Sequence, residues 1–501
     1  MKSHHESRRV FIKTTAAAAA GIALMPGFGF IPNRVVKPMR RSFGKLNFEV
    51  TTFGLGGQAS LQWTPDDVDP VKIILKAFHK GVNYFDTSNL YGPSQLNFGK
   101  AFTELGLIPA QTGYNEKLRR SFFLTSKTHL RFARGGSGTP GVTNWTNGNP
   151  DTFTVDDVKR SLSLMFGDGQ GNYPPGAYLD MVLIHNLNTV EEVDALYEGL
   201  YDTDPKAERI GALAALRDLR DGTNLTGLNP KEEKLIRHIG FSGHFSPQVM
   251  IEMIQRDKSN LLDAMLVAIN ANDRLNFNMQ HNVIPVATAK NMGIIGMKVF
   301  ADGAMYTKES HWTQGPSEVV RTVGSAALPS RPLIEYALTT PGIHTAIIGI
   351  GQISDDPVLC QLEQNLSAAQ INQSGMKVTD RTEVENMTRL VKEGRTNYFQ
   401  LPDKGLIAPS NVSVSQKKVG KDRYVEINWN TAFAGNMPLK NYDILRDGKI
   451  ISSVSHKPQT TKTPFTFVDR LSDNASHEYS IVASDMAGRS AGSELVRVEE
   501  M

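Results

Sequence analysis

The sequence predicts a (β/α)8 barrel followed by an all-β sandwich, and three observations carry that reading. At 501 residues the chain exceeds one ordinary domain, whereas a barrel of about 250 to 350 residues plus a sandwich of about 100 would fill it. From Val50 onward, short apolar, β-rich runs alternate with longer amphipathic stretches, the pattern of parallel strands joined by crossover helices. After Tyr398-Phe399-Gln400-Leu401-Pro402 that pattern gives way to short alternating runs separated by turn residues. The expected division is residues 1–35 as an N-terminal address and linker, 39–400 as the barrel and 406–501 as the sandwich. With 54 basic against 51 acidic residues and no long basic stripe, nucleic-acid binding has no compositional support. A lone cysteine, Cys360, excludes an internal disulfide, and no Cys/His cluster has zinc-like spacing, so no metal site is expected.

The N-terminal segment is read as an address. Ser7-Arg8-Arg9-Val10-Phe11-Ile12-Lys13, followed by an alanine-dominated run from Thr14 to Met25, resembles the twin-arginine export signal, with Ile12 where leucine is usual. The run falls short of the ~20 residues that cross a bilayer. The resemblance implies passage through the twin-arginine translocase and a periplasmic or secreted protein; an uncleaved anchor is the alternative.

Eight runs qualify as barrel strands: 51–55, 84–86, 122–126, 181–184, 238–241, 264–269, 294–298 and 346–348. Between them lie helical patterns. Residues 70–80 place Val71, Ile74, Leu75 and Phe78 on one face, 154–164 open on Thr154 with Asp157 three residues on, and 246–255 and 284–291 continue the alternation. A Rossmann sheet would also alternate, but no G-x-G-x-x-G opens the first unit. In such barrels reactive groups sit where strands end. Asp86 ends the second run, Lys127 follows the third, His185 closes the fourth, and Ser242 with His244 follows the fifth. Each taken singly also suits a cap, an ion pair or a core histidine.

The segment Gly81-Val82-Asn83-Tyr84-Phe85-Asp86-Thr87-Ser88-Asn89-Leu90-Tyr91-Gly92 matches G-x-x-x-x-D-T-A-x-x-Y-G, the signature of the aldo-keto reductase superfamily, with Ser88 in place of alanine. The resemblance begins in Arg41 to Val50, read as an opening hairpin, and runs through Leu124-Thr125-Ser126-Lys127, Asp180 to His185, Ile239-Gly240-Phe241-Ser242 and Leu362-Glu363-Gln364-Asn365-Leu366. It implies a catalytic tetrad of Asp86, Tyr91, Lys127 and His185. Reducing a carbonyl needs hydride on carbon and a proton on oxygen, and a free phenol with pKa about 10 gives up its proton reluctantly. An ammonium near Tyr91 would lower that pKa, which fits Lys127; Asp86 would hold the ammonium, and His185 would orient the substrate carbonyl.

The resemblance further implies a nicotinamide dinucleotide across the barrel mouth, NADP before NAD, held tightly enough to be loaded before export. Gly56, Ser242, Lys298, Gly349, Gly351, Gln364 and Asn365 are the implied contacts: Ser242 at the carboxamide, Gln364 and Asn365 at the adenine, and the glycine amides near phosphate. Three positions depart from the family. Leu266 stands where glutamine often meets nicotinamide, Met297 where a tyrosine stacks, and Gln361 where an arginine often meets the 2′-phosphate, with Lys298 as a substitute charge. The substrate implied is a small carbonyl or sugar-like molecule. Long loops at 130–149, 201–230 and 306–330 are read as substrate walls or surface excursions, with Trp145 and Trp312 as candidate stacking platforms.

In the last segment, Pro409-Ser410-Asn411-Val412, Ile427-Asn428-Trp429, Leu439 to Ile444 and Tyr479 to Ala483 resemble a fibronectin type III domain, with Trp429 as core indole and Tyr479 as corner tyrosine. This immunoglobulin-like sandwich would serve as a spacer, a lid, or a cell-surface or polysaccharide contact. Two rival readings remain: a noncatalytic barrel that senses a nicotinamide or sugar, and a barrel hydrolase, for which paired carboxylates at strand ends are expected.

Overall fold

A computed structural model describes residues 37–501, so the expected twin-arginine segment lies outside the described residues. Eight parallel strands close on themselves in sequence order: β1 (Phe53–Gly56), β2 (Tyr84–Asp86), β3 (Phe123–Thr128), β4 (Leu179–Ile184), β5 (Ile236–Gly243), β6 (Ala264–Ala268), β7 (Gly293–Met297) and β8 (Thr345–Gly349). Each overlaps one of the eight expected runs. Closure comes from β8 on β1, where Gly349 pairs with Gly56.

An antiparallel hairpin, Arg40–Ser42 with Glu49–Thr51, plugs the amino end of the barrel. Phe43 sits edge-on to Tyr84 (5.8 Å) and Phe123 (5.5 Å), and Leu46 joins Leu183, Leu266 and Ile295 in the same cluster. The plug tolerates no side chain at Gly293, whose Cβ would lie 2.4 Å from Leu46. Leu266, the departure from the family's glutamine, is thus part of the barrel packing, and the carboxyl ends of the strands form the open face.

The crossover helices pack outside. The first, Pro70–His79, is capped by Asp69, which accepts the N–H groups of Val71 (3.0 Å) and Lys72 (3.3 Å). Its buried stripe is Ile73, Ile74 and Ala77; of the expected face only Ile74 is fully buried, while Val71, Leu75 and Phe78 lie at the rim. Helix Thr154–Phe166 is capped differently from expectation. Asp156 accepts the N–H of Phe153, Thr154 bonds the Phe132 carbonyl, and Asp157 faces inward toward the site. Helices Pro247–Gln255 and Val283–Ala289 match expectation closely.

The last segment forms eight strands: β9 (Ser410–Val419), β10 (Asp422–Asn430), β11 (Leu439–Arg446), β12 (Lys449–Ser455), β13 (Phe465–Leu471), β14 (His477–Asp485), β15 (Ser490–Gly492) and β16 (Val496–Val498). One antiparallel sheet is β9-β10-β13; the other runs β12-β11-β14-β15, with β16 also on β14. Their inner faces share a core of Ile427, Trp429, Tyr442, Ile444, Tyr479 and Ile481. Tyr479 spans the layers, its hydroxyl donating to Asp469 at 2.8 Å. The sandwich rests on the barrel flank through Asn282, which accepts the N–H of Ala434 (2.8 Å) and donates to its carbonyl (3.1 Å), and through Phe277 against Phe433.

Candidate active site

Asp86 closes β2 opposite Thr125 of β3, and Lys127 lies two residues further along β3, on the same face of the strand. The Lys127 ammonium donates to the Asp86 carboxylate and to the Thr87 carbonyl (2.8 Å), with both side chains buried. Burial pushes the Asp86 carboxyl up and the Lys127 ammonium down, and their mutual attraction opposes both shifts. Tyr91 hangs from the turn after β2, fixed by its N–H to the Ser88 carbonyl (3.1 Å) and by the Ser94 N–H to its own carbonyl (2.8 Å). Lys127 Nζ meets its ring face at 4.7 Å. The phenol is held well above its ordinary range, by burial first and by Asp86 and Asp302 next. The shift runs opposite to the lowering expected from an adjacent ammonium, with burial as its first cause.

His185 follows β4. Its Nε2 stands 3.5 Å from Tyr91 Oη and its Nδ1 3.0 Å from Ser88 Oγ. Burial, then Lys127 and His129, hold the ring well below the ordinary imidazole range, so it is neutral. Behind it a buried Arg131–Glu192 pair clamps the strand ends. Arg131 donates to the carbonyls of His185 (2.9 Å), Asn186 (3.0 Å) and His129 (3.2 Å). Ser242, expected at a carboxamide, uses its hydroxyl internally: it accepts the Asn186 N–H (2.9 Å) and donates to the Ile184 carbonyl (3.3 Å). His244 bonds the Asn186 side chain at 2.7 Å.

Beside Tyr91 and Asp86 opens a cleft of about 900 Å³, a volume that includes open solvent, between the ends of β1, β7 and β8. Of the expected cofactor contacts, Gly56, Lys298 and Gly349 line it, as does Met297; Ser242, Gly351, Gln364 and Asn365 do not. Its glycines are closely packed against the neighbouring loops: a Cβ on Gly349 would lie 2.9 Å from that of Ala59, and one on the neighbouring Gly57 would lie 2.5 Å from the Asp86 carbonyl. Lys298 bonds Asp302 (3.1 Å), which also takes Lys308 (3.2 Å), so two ammonium groups share one carboxylate at the cleft wall. Gln361 is committed to the backbone. Its Oε1 accepts the N–H groups of Gly351 (2.8 Å) and Gln352 (3.1 Å), and its Nε2 donates to the carbonyls of Val320 (3.0 Å) and Thr322 (2.8 Å). The Gly351 amide is thereby occupied, and Gln364 bonds the Pro357 carbonyl at 2.7 Å.

Two of the long loops are knitted together, since Phe132–Arg134 pairs with Ile210–Gly211. Trp145, 61 % exposed, stacks on His129 (centroids 5.0 Å, 22°), and His129 lies edge-on to His185 at 5.9 Å. On the other side Trp312, 45 % exposed, meets His244, Tyr398 and Phe399. Ser88, His129 and Asp302 escaped the sequence reading. Only Ser88 carried a signal there, as the departure inside the signature.

Among solved structures, the chain aligns with an aldo-keto reductase from Klebsiella pneumoniae in complex with NADP and acetate, at 15 % identity over 71 % of this chain and 95 % of that one, with a TM-score of 0.41. A Bombyx mori aldo-keto reductase in complex with NADP aligns at 12 % identity over 69 % and 92 %, TM-score 0.40. A protein assigned as an aldo-keto reductase from Pseudomonas aeruginosa aligns at 17 % over 67 % and 98 %, TM-score 0.39. No curated protein sequence matches. The model of the aldo/keto reductase family matches residues 52–319, more than half of the chain, and the protein therefore belongs to the aldo/keto reductase family.

Proposed function

We propose that the protein is a nicotinamide-dependent carbonyl reductase, or the corresponding alcohol dehydrogenase, in which Tyr91 is the general acid and base. The observation that carries the reading is the convergence of a buried Asp86–Lys127 pair, a phenol and a neutral imidazole at successive strand ends, beside a cleft whose lining includes Gly56, Gly57 and Gly349. Gly56, Gly349 and Lys298, which line the cleft, are the residues that would hold the cofactor. When bound, NAD(P)H supplies the hydride that reduces the carbonyl carbon.

The protein's own residues do the rest. Tyr91 gives its proton to the carbonyl oxygen as negative charge gathers there. Lys127, 4.7 Å from the ring, stabilises the phenolate that remains, and Asp86 keeps the ammonium in place. His185 lies within reach of the same oxygen and orients it. Trp145 on His129 and Trp312 on His244 are exposed rings near the strand ends, and as walls of the substrate site they would favour a substrate with an apolar or ring-shaped body. Tyr91→Phe tests the assignment: the variant should fold and bind cofactor normally while reduction falls about 10²- to 10⁴-fold. Titration with NADH and NADPH, followed by nicotinamide fluorescence, checks the cofactor; a silent titration would favour the hydrolase reading, saturable binding without turnover would favour the noncatalytic one, and wild-type turnover in Tyr91→Phe would remove Tyr91 from its role.

The twin-arginine resemblance supports export in the folded state to the periplasm or beyond, with cofactor loaded beforehand. The two-sheet C-terminal unit, with Trp429 in its core, supports the fibronectin type III reading. Nucleotide released on denaturing protein purified from the periplasm would test loading; nucleotide-free protein with weak affinity would refute it.

A further inference from the structure

His185 can help a carbonyl only if the nitrogen that faces the substrate carries the ring proton. The ring is neutral, so it has one proton to place, and its two nitrogens have different neighbours. Nε2 faces Tyr91 Oη at 3.5 Å, while Nδ1 meets the Ser88 hydroxyl at 3.0 Å. Ser88 is buried, and its oxygen already receives the backbone N–H of Leu90 at 3.2 Å. A hydroxyl that accepts one N–H keeps one hydrogen to give. Among the described residues the acceptor in reach of it is His185 Nδ1.

We propose that Ser88 is a positioning residue: its hydroxyl donates to His185 Nδ1, fixes the Nε2–H tautomer, and makes His185 a second donor beside Tyr91 where the carbonyl oxygen binds. The consequence for catalysis rests on the reductase reading; the tautomer itself does not. Ser88 also anchors the turn that carries Tyr91, whose N–H bonds the Ser88 carbonyl. One residue therefore sets the position of the phenol through its backbone and the proton of the imidazole through its side chain. The alanine usual at this position in the family signature has no hydrogen to offer Nδ1, so in this chain the lock is the property of the serine.

The test reads the proton directly. Full-length protein labelled with ¹⁵N at histidine is compared by long-range ¹H–¹⁵N correlation at neutral pH, with His185→Asn assigning the signal. Wild type should show His185 protonated at Nε2; Ser88→Ala should show mixed tautomers, and Ser88→Thr should restore the single form. In reduction of 4-nitrobenzaldehyde with NADPH, and separately with NADH, Ser88→Ala should lower kcat about tenfold with KM within about twofold, and Ser88→Thr should recover most of the loss. A wild-type His185 protonated at Nδ1, or a Ser88→Ala protein with unchanged tautomer and kcat, overturns the proposal. Absence of wild-type turnover with either cofactor would count against the reductase reading, while the spectra would still decide the tautomer.

Discussion

Lys127 meets Asp86 and Tyr91 in different ways: its ammonium donates to the Asp86 carboxylate, whereas it faces Tyr91 through the ring, 4.7 Å from the centroid. The strong bond is therefore the structural one. Removing either partner strands a buried group, and such truncations typically cost about 3 to 5 kcal/mol. Lys127→Met and Asp86→Asn should each lower the urea midpoint accordingly, while the double variant should lose clearly less than the sum of the two. Additive losses would show that the pair is not coupled.

The direction of the Tyr91 shift sets the pH behaviour. Burial raises the phenol well above its ordinary range, so at neutral pH the acid form is fully populated and the phenolate scarce. Reduction uses the acid form, and kcat in that direction should stay level from about pH 6 to pH 9. Oxidation needs the phenolate, whose fraction rises tenfold per pH unit below the pKa, so log kcat for alcohol oxidation should climb with a slope of about one. A reductive kcat that declines between pH 7 and pH 9 would mean that Tyr91 titrates lower than its surroundings dictate.

Trp145 tests whether the long insertion after β3 is a wall or an excursion. Its neighbours are tied down: Asn144 accepts the Arg131 N–H (2.8 Å), Thr143 bonds Glu192, and Thr146 bonds Asp157 (2.7 Å). The indole is thus held in place yet 61 % exposed above His129. Trp145→Ala should leave unfolding free energy within about 0.5 kcal/mol, as exposed positions do. It should raise KM for aromatic aldehydes about tenfold, the equivalent of one aromatic contact, and leave KM for propanal nearly unchanged. Equal effects on both substrates would remove Trp145 from the wall.

These contrasts show what the sequence could and could not convey. The eight barrel strands were legible because strands covered on both faces read as continuous apolar runs, as in Met181 to Ile184 and Ala264 to Ala268. Asp86, Lys127 and His185 were legible because each ends such a run. Edge strands were not: Lys449–Ser455 is serine-rich and largely exposed, so no alternation marks it. The direction of the Tyr91 shift was not legible because its first cause is burial, which depends on how the strand-end loops fold over the phenol, and its last is Asp302, which no local pattern connects to Tyr91. The anchoring of Trp145 depends on Arg131, Asp157 and Glu192, which no local pattern connects. The commitment of Ser242 and Gln361 to backbone groups likewise depends on loops brought together by folding.

The contact between barrel and sandwich makes a prediction about how the two come apart. Asn282 treats Ala434 as a strand neighbour would, accepting its N–H at 2.8 Å and donating to its carbonyl at 3.1 Å, while Arg274 donates to the Asn436 carbonyl at 3.0 Å. Asn282 and the Ala434 main chain are buried, so Asn282→Ala leaves two main-chain groups without partners and should weaken the interface by about 1 to 3 kcal/mol per group. Trp429, in the sandwich core and remote from the barrel tryptophans, gives the sandwich its own reporter. With the other three tryptophans changed to phenylalanine, urea unfolding followed by Trp429 fluorescence should coincide with loss of helical circular dichroism in the parent and separate from it in Asn282→Ala. Coincident transitions at the parental midpoint in the variant would mean that the interface rests on the apolar Phe277–Phe433 contact instead, and that Asn282 merely fills a gap the loop could satisfy otherwise.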